Sequence, residues 1–293
     1  MPNLKKPVQF DHFRPYYLAR DAHGQSQEHV YDLKSLLQHV KDHPFSETRK
    51  TILGDLHMFH ICRYDSTLHV WEIQILRLRE KMLPGIADDS GTYELIRLED
   101  NQYPAESTTL LYDEDHCTLY MQRNIYGTSI RALEEYLQLI SPEGTLVLLK
   151  PIQVGSRISG ITSSKVYRKF ILVADTDLLT DEMEAKPLGQ IISSFRKYQG
   201  RIVKFEFGFG RQRHGFLNAA EVSSLVHEAY NYSGTQSLSV RAAEDEDTQV
   251  ETINLMDDRA SYKLIVEYSR TNPITHERLY RMCLGTFREE HNL

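Results

Sequence analysis

The sequence predicts an α+β protein of two domains, each a mostly antiparallel sheet carrying a few helices. Three observations carry that reading. Strand-like runs come in adjacent pairs joined by turn residues, as hairpins require. Only a few segments between them place apolar residues at helical spacing. A chain of 293 residues, 41% hydrophobic and 26% charged, is long and apolar enough to bury two cores.

Residues 8–19 read as a strand rich in Phe and Tyr, despite Pro15. Val30, Leu33, Leu36, Leu37 and Val40 then recur along one helical face, and Pro44 stops that helix. Two runs, 52–63 and 67–79, are joined by Tyr64, Asp65 and Ser66 into a hairpin. Residues 80–106, with Pro84-Gly85 and Asp88-Asp89-Ser90-Gly91, read as irregular. A second hairpin pairs 108–112 with 117–123 around Asp113, Glu114 and Asp115. Ile130, Leu133, Leu137 and Ile140 mark a helix that Ser141-Pro142-Glu143-Gly144 ends. The apolar strand 146–149 closes an N-terminal α+β domain, 1–152.

Gly and Ser crowd the next stretch, so 153–166 reads as a flexible basic linker. A C-terminal α+β domain, 167–293, follows it. Its strands are 168–174 and 202–209, with an amphipathic helix between them marked by Leu188, Ile191, Ile192 and Phe195. Asn218, with Glu221 three residues on, opens another helix in a capping-box-like arrangement. Strands 237–242, 250–255 and 262–268 come next. A last helix, 275–288, presents Leu279, Met282, Cys283 and Phe287.

The three cysteines, Cys62, Cys117 and Cys283, are dispersed without pairing or metal-ligand spacing, which fits a reducing cytosol. No stretch approaches the ~18–20 apolar residues of a membrane span. The expected location is therefore cytoplasmic.

Charge is the feature that points to a partner. Residues 150–169 hold five basic residues and no acid, and residues 194–216 hold six against Glu206 alone. Each stretch is thus +5 within a chain of net charge −7, which leaves −17 on the remainder. Clustered cations on an acidic body suit a polyanion, because sequence-independent phosphate binding rests on Lys and Arg. The candidate contacts are Arg157, Lys165, Arg168 and Lys169 in the first stretch. In the second they are Arg196, Lys197, Arg201, Lys204, Arg211 and Arg213. The competing reading is that such runs decorate solvated loops and strand edges.

Strand periodicity sorts the second stretch. Val203, Phe205, Phe207 and Phe209 share one face, and the same parity reaches Arg211 and Arg213 in a Gly-bounded loop suited to phosphates. The phenylalanines read as core rather than base-stacking platforms. Arg196 and Lys197 sit in a last helical turn, where cations also offset the macrodipole.

Enzyme signals are weak. Neither GxxxxGK[ST] nor GxGxxG occurs. Asp175, Asp177 and Asp181 before Glu184-Ala185-Lys186 superficially resemble a metal-nuclease set, but a solvated segment before Pro187 explains them better. His57 and His60, three apart on a strand, would point to opposite faces and share no metal. No nucleophile motif appears. The chain reads as non-enzymatic, with no cofactor and no metal.

One segment carries a family likeness. Residues 109–127, then the helix 130–139, then Thr145-Leu-Val-Leu-Leu-Lys-Pro-Ile152, resemble the hairpin–helix–strand unit of the phage lambda RexA-like exclusion proteins and related bacterial and prophage proteins. The likeness covers about residues 108–152. It implies a homodimer that binds duplex DNA with little sequence preference. It also implies a role in phage exclusion or antiphage defence beside a membrane-bound partner protein, without membrane insertion of its own. Two other readings compete: a metal-dependent defence nuclease, and a protein-interaction module meeting an acidic partner.

Overall fold

The computed structural model describes residues 4–20, 26–81, 84–141, 145–210, 215–245, 248–257, 259–269 and 271–293. The first part of the chain forms β1 (Leu4–Arg20), β2 (Ser26–Val30), α1 (Lys34–Asp42), β3 (Lys50–Ile52), β4 (Asp55–Asp65) and β5 (Val70–Leu78). It continues with β6 (Gly85–Ala87), β7 (Tyr93–Leu95), β8 (Ala105–Asp113), β9 (Thr118–Gln122), α2 (Ile130–Ile140) and β10 (Val147–Pro151). Next come β11 (Val166–Asp175), the short α3 (Asp181–Glu184), α4 (Pro187–Arg196) and β12 (Ile202–Gly208). Then follow α5 (Ala219–Asn231), β13 (Thr235–Ala243), β14 (Glu251–Asn254), β15 (Ser261–Tyr268) and α6 (His276–His291). The fold is α+β on antiparallel sheets, as the hairpin pattern predicts. Residues 80–106 are less irregular than expected, because β6 and β7 pair there as a small ribbon. The helix stop at 142–144 lies outside the described residues.

The chain divides into two compact units. One comprises 1–17, 29–151 and 261–293, and the other 18–28 and 152–260. This corrects the expected 167–293 domain, since its last 33 residues return to the first unit's sheet. The reason is an edge of β1 that needs a partner. Its residues Leu4 to Asp11 pair antiparallel with β15, from Leu4↔Tyr268 to Asp11↔Ser261. A local pattern predicts that 262–268 is a strand, but not which strand it joins.

In the first unit the sheet runs β10-β1-β9-β8-β5-β4-β3, with β15 and β2 also paired to β1. Helices α1 and α2 cover one face, where Leu36, Leu37, Val40, Tyr136 and Leu137 meet Phe13, Phe59, Trp71 and Tyr112. Helix α6 packs Leu279, Cys283 and Phe287 onto Val8, Phe10, Leu111 and Tyr120 with β15 residues Leu264 and Val266. Burial on both faces explains why β8 reads as a continuous run rather than an alternation. Buried hydroxyls find partners: Tyr112 donates to Asp32 at 2.9 Å and Tyr136 to the Thr48 carbonyl at 2.8 Å.

In the second unit the order is β12-β11-β13-β14. Phe170, Leu172, Val203, Leu238 and Val240 form the core with Leu188 and Ile192 of α4 and Val222 and Val226 of α5. Phe205 and Phe207 stack on Phe170, at 5.9 and 5.0 Å between centroids, so they serve the core as expected. Asn218 caps α5 by accepting from the Ala220 and Glu221 amides. The expected linker is part of this unit. Ile161 is buried, Tyr167 donates to the Thr162 carbonyl, and Gln153 bridges to Arg259. Residues 153–166 therefore pack rather than tether. Among the described residues, no helix is long and apolar enough to cross a membrane.

Candidate functional site

Cations of the second unit meet at one end of β11. Alternation along that strand buries Phe170, Leu172 and Ala174 under the helices and turns Lys169, Ile171 and Val173 to the other face. Between Tyr167 and Lys169 the ladder to β13 slips by one residue, so Arg168 is the extra residue of a β-bulge. Past the bulge, Lys169 pairs with Arg241 on β13 and with Gly208 on β12. Two like charges directly opposite each other on a sheet repel, and an anion between them removes the cost.

One such anion is internal. Lys169 forms an ion pair with Glu206, and that hydrogen bond holds the Glu206 carboxyl below its usual range. Arg241 is exposed and forms no ion pair among the described residues. The Arg168 guanidinium lies 5.2 Å from the centroid of the Phe216 ring. Arg168, Lys169, Glu206, Gly208, Gly210 and Arg241 line a depression of about 490 Å³. Three cations face one carboxylate there.

Glycine shapes this rim twice. A Cβ on Gly208 would come within 2.8 Å of the Arg168 carbonyl, so only glycine lets β12 pass this close to the bulge. Gly210 takes φ +66°, in the left-handed region that favours glycine. The chain beyond it enters 211–214, so Arg211 and Arg213 lie outside the described residues.

The other predicted contacts do not line this depression, and two of them, Arg196 and Arg201, line another of about 450 Å³. Arg157 donates to the Asn254 carbonyl at 2.7 Å and lies 3.6 Å from Asp257. Lys165 pairs with Glu244 at 2.7 Å. Arg196 donates to the Thr176 and Leu179 carbonyls and lies 3.5 Å from Glu184. Arg201 lies 3.0 Å from Asp175 and 3.3 Å from Asp177. These four are engaged by local carboxylates and carbonyls. Lys197 lies over the Tyr198 ring at 5.0 Å, and Lys204 is exposed on β12 beside Glu206.

The nuclease-like set is tied up in the same way. Asp175 faces Arg201, Glu184 accepts from Ser193, and Lys186 pairs with Glu182 at 2.9 Å. A larger depression of about 690 Å³ includes Glu28, Glu182 and Glu228, a sign that repels phosphate.

Sequence reasoning missed Arg241. It stands next to the acidic run at 244–247, and only the β11–β13 register places it opposite Lys169. The available signal was its parity, since Val240 and Ala242 flank it as core residues of a strand.

A family model described as a family of unknown function, DUF6731, matches residues 3–291. No curated protein matches the chain.

Proposed function

The chain belongs to that family of unknown function, and from its own residues we propose that it is a non-enzymatic binder of duplex DNA. The DNA backbone would lie on the bulged end of the second unit's sheet. The observation that carries this reading is the direct pairing of Lys169 with Arg241 beside the bulged Arg168, around a depression of about 490 Å³. Charged groups of one sign brought together on a rigid sheet favour phosphate oxygens, and guanidinium contacts to them need no base sequence. The RexA-like resemblance supports an extension of the proposal to phage exclusion. Its support is the hairpin, helix and strand order of 108–152, present here as β8, β9, α2 and β10.

A mobility-shift titration on random duplex DNA tests the site. The Lys169→Glu/Arg241→Glu double variant should weaken binding at least 10-fold. Lys197→Glu/Lys204→Glu carries the same change in net charge and should weaken it far less. Glu206→Gln removes the internal competitor for Lys169 and should tighten binding several-fold. Equal losses in the two double variants would assign binding to overall charge and not to this site.

A further inference from the structure

We propose that Asp113, His116 and His291 form a transition-metal site of the zinc class, which ties the end of α6 to the β8–β9 turn. No linear motif announces it, because 175 residues separate His291 from His116. Asp113 ends β8 and its side chain is 1% exposed. Its Oδ1 accepts from the Asp115 amide at 3.1 Å and the His116 amide at 3.4 Å, which fixes the turn and orients the carboxylate. Its Oδ2 lies 2.6 Å from His116 Nδ1. His291 arrives from the last turn of α6, with its ring 4.9 Å from that of His116 and 4.4 Å from that of Phe287.

One ligand atom from each of the three residues lies within 4.8 Å of the other two. Zinc holds His nitrogen and carboxylate oxygen at about 2.0–2.2 Å in a tetrahedron, which brings ligand atoms to roughly 3.4 Å from one another. The remaining closure is on the order of 1 Å, and the 57% exposed His116 side chain can supply it. An ion between Asp113 and His116 takes the place of the hydrogen that joins them. A His near a helix C-terminus also offsets the macrodipole. That role needs no second imidazole and no buried carboxylate opposite, and both are here. Glu290, next to His291 in the chain, is engaged by the Tyr262 hydroxyl.

Two imidazoles with one carboxylate suit Zn²⁺ and neighbouring first-row ions, whereas Mg²⁺ and Ca²⁺ prefer all-oxygen shells. Three protein ligands leave a fourth position for water. Because α6 is held on the sheet by Leu279, Cys283 and Phe287, the ion would fasten the far end of a helix already docked.

Calorimetric titration of the full chain, untagged and freed of metal by chelation, tests the site with ZnCl₂ and with MgCl₂. The expected result is one Zn²⁺ per chain, bound at least 100-fold more tightly than Mg²⁺, and a rise in Tm. His116→Gln, on an exposed turn, and His291→Gln should each weaken Zn²⁺ binding at least 10-fold. His69→Gln, in the neighbouring His69–Asp115 pair, should leave it unchanged. Absence of saturable binding at one equivalent overturns the proposal. So does binding that survives His116→Gln, or that is lost in His69→Gln.

Discussion

Phe287→Ala should lower the unfolding free energy of the first unit by about 3–5 kcal/mol, the usual cost of emptying a buried aromatic site. Phe287 is 2% exposed and packs edge-on against Tyr120, with centroids 5.8 Å apart. The readout is built into the chain, because Trp71 is its single tryptophan and lies buried in β5 of the same unit. Denaturant unfolding followed by Trp71 fluorescence should shift to a lower midpoint, although 216 residues separate the two positions. Unchanged Trp71 unfolding would place the C-terminal helix with 167–260 and contradict the return of β15 and α6. Large core-to-small changes rank among the most destabilising substitutions, so the effect stands well above measurement error.

Acid should also destabilise the protein, in a window set by buried histidines. His12 is 7% exposed, and its ring meets Tyr120 at 4.5 Å and Tyr262 at 4.4 Å. Burial lowers its pKa to about 4, against weaker opposing effects of Glu290 and Asp11. His57 and His276 are lowered as well, first by burial. An unfolded histidine titrates near 6.5. Between about pH 6.5 and 4 the unfolded chain therefore binds protons that the folded chain refuses, and stability falls as pH drops through that window. At about 1.4 kcal/mol per pH unit, His12 alone contributes a loss of roughly 3 kcal/mol by pH 4. Unfolding free energies at pH 7.5, 6 and 5 measure the slope, which His12→Phe should reduce. A flat profile, or a rise toward low pH, would contradict neutral burial of these rings.

Most elements were legible because each is a local pattern, although β6 and β7 lie in a stretch read as irregular and Val30, read as helical, ends β2. Ile130, Leu133, Leu137 and Ile140 mark α2, and Val203, Phe205 and Phe207 mark the core face of β12. The pairings were not. Nothing in residues 4–11 names 261–268 as their partner. The candidate site was legible to the same depth. Lys169 and Arg168 stood out as charge, but the bulge that lets both line one depression with Arg241 is a property of the β11–β13 register. Neutralisation was hidden for the same reason. The partners of Lys165 and Lys169, Glu244 and Glu206, lie 79 and 37 residues away in sequence. A run of basic residues states its charge but not which carboxylates fold onto it.

The salt dependence of duplex binding tests the account most directly. With Arg168, Lys169 and Arg241 on phosphates, log Kobs should fall against log salt with a slope of about −2 to −3, and Arg241→Ala should reduce that slope by about 1. A slope near zero, or one that Arg241→Ala leaves untouched, would show that the bulged sheet end is not where a polyanion binds.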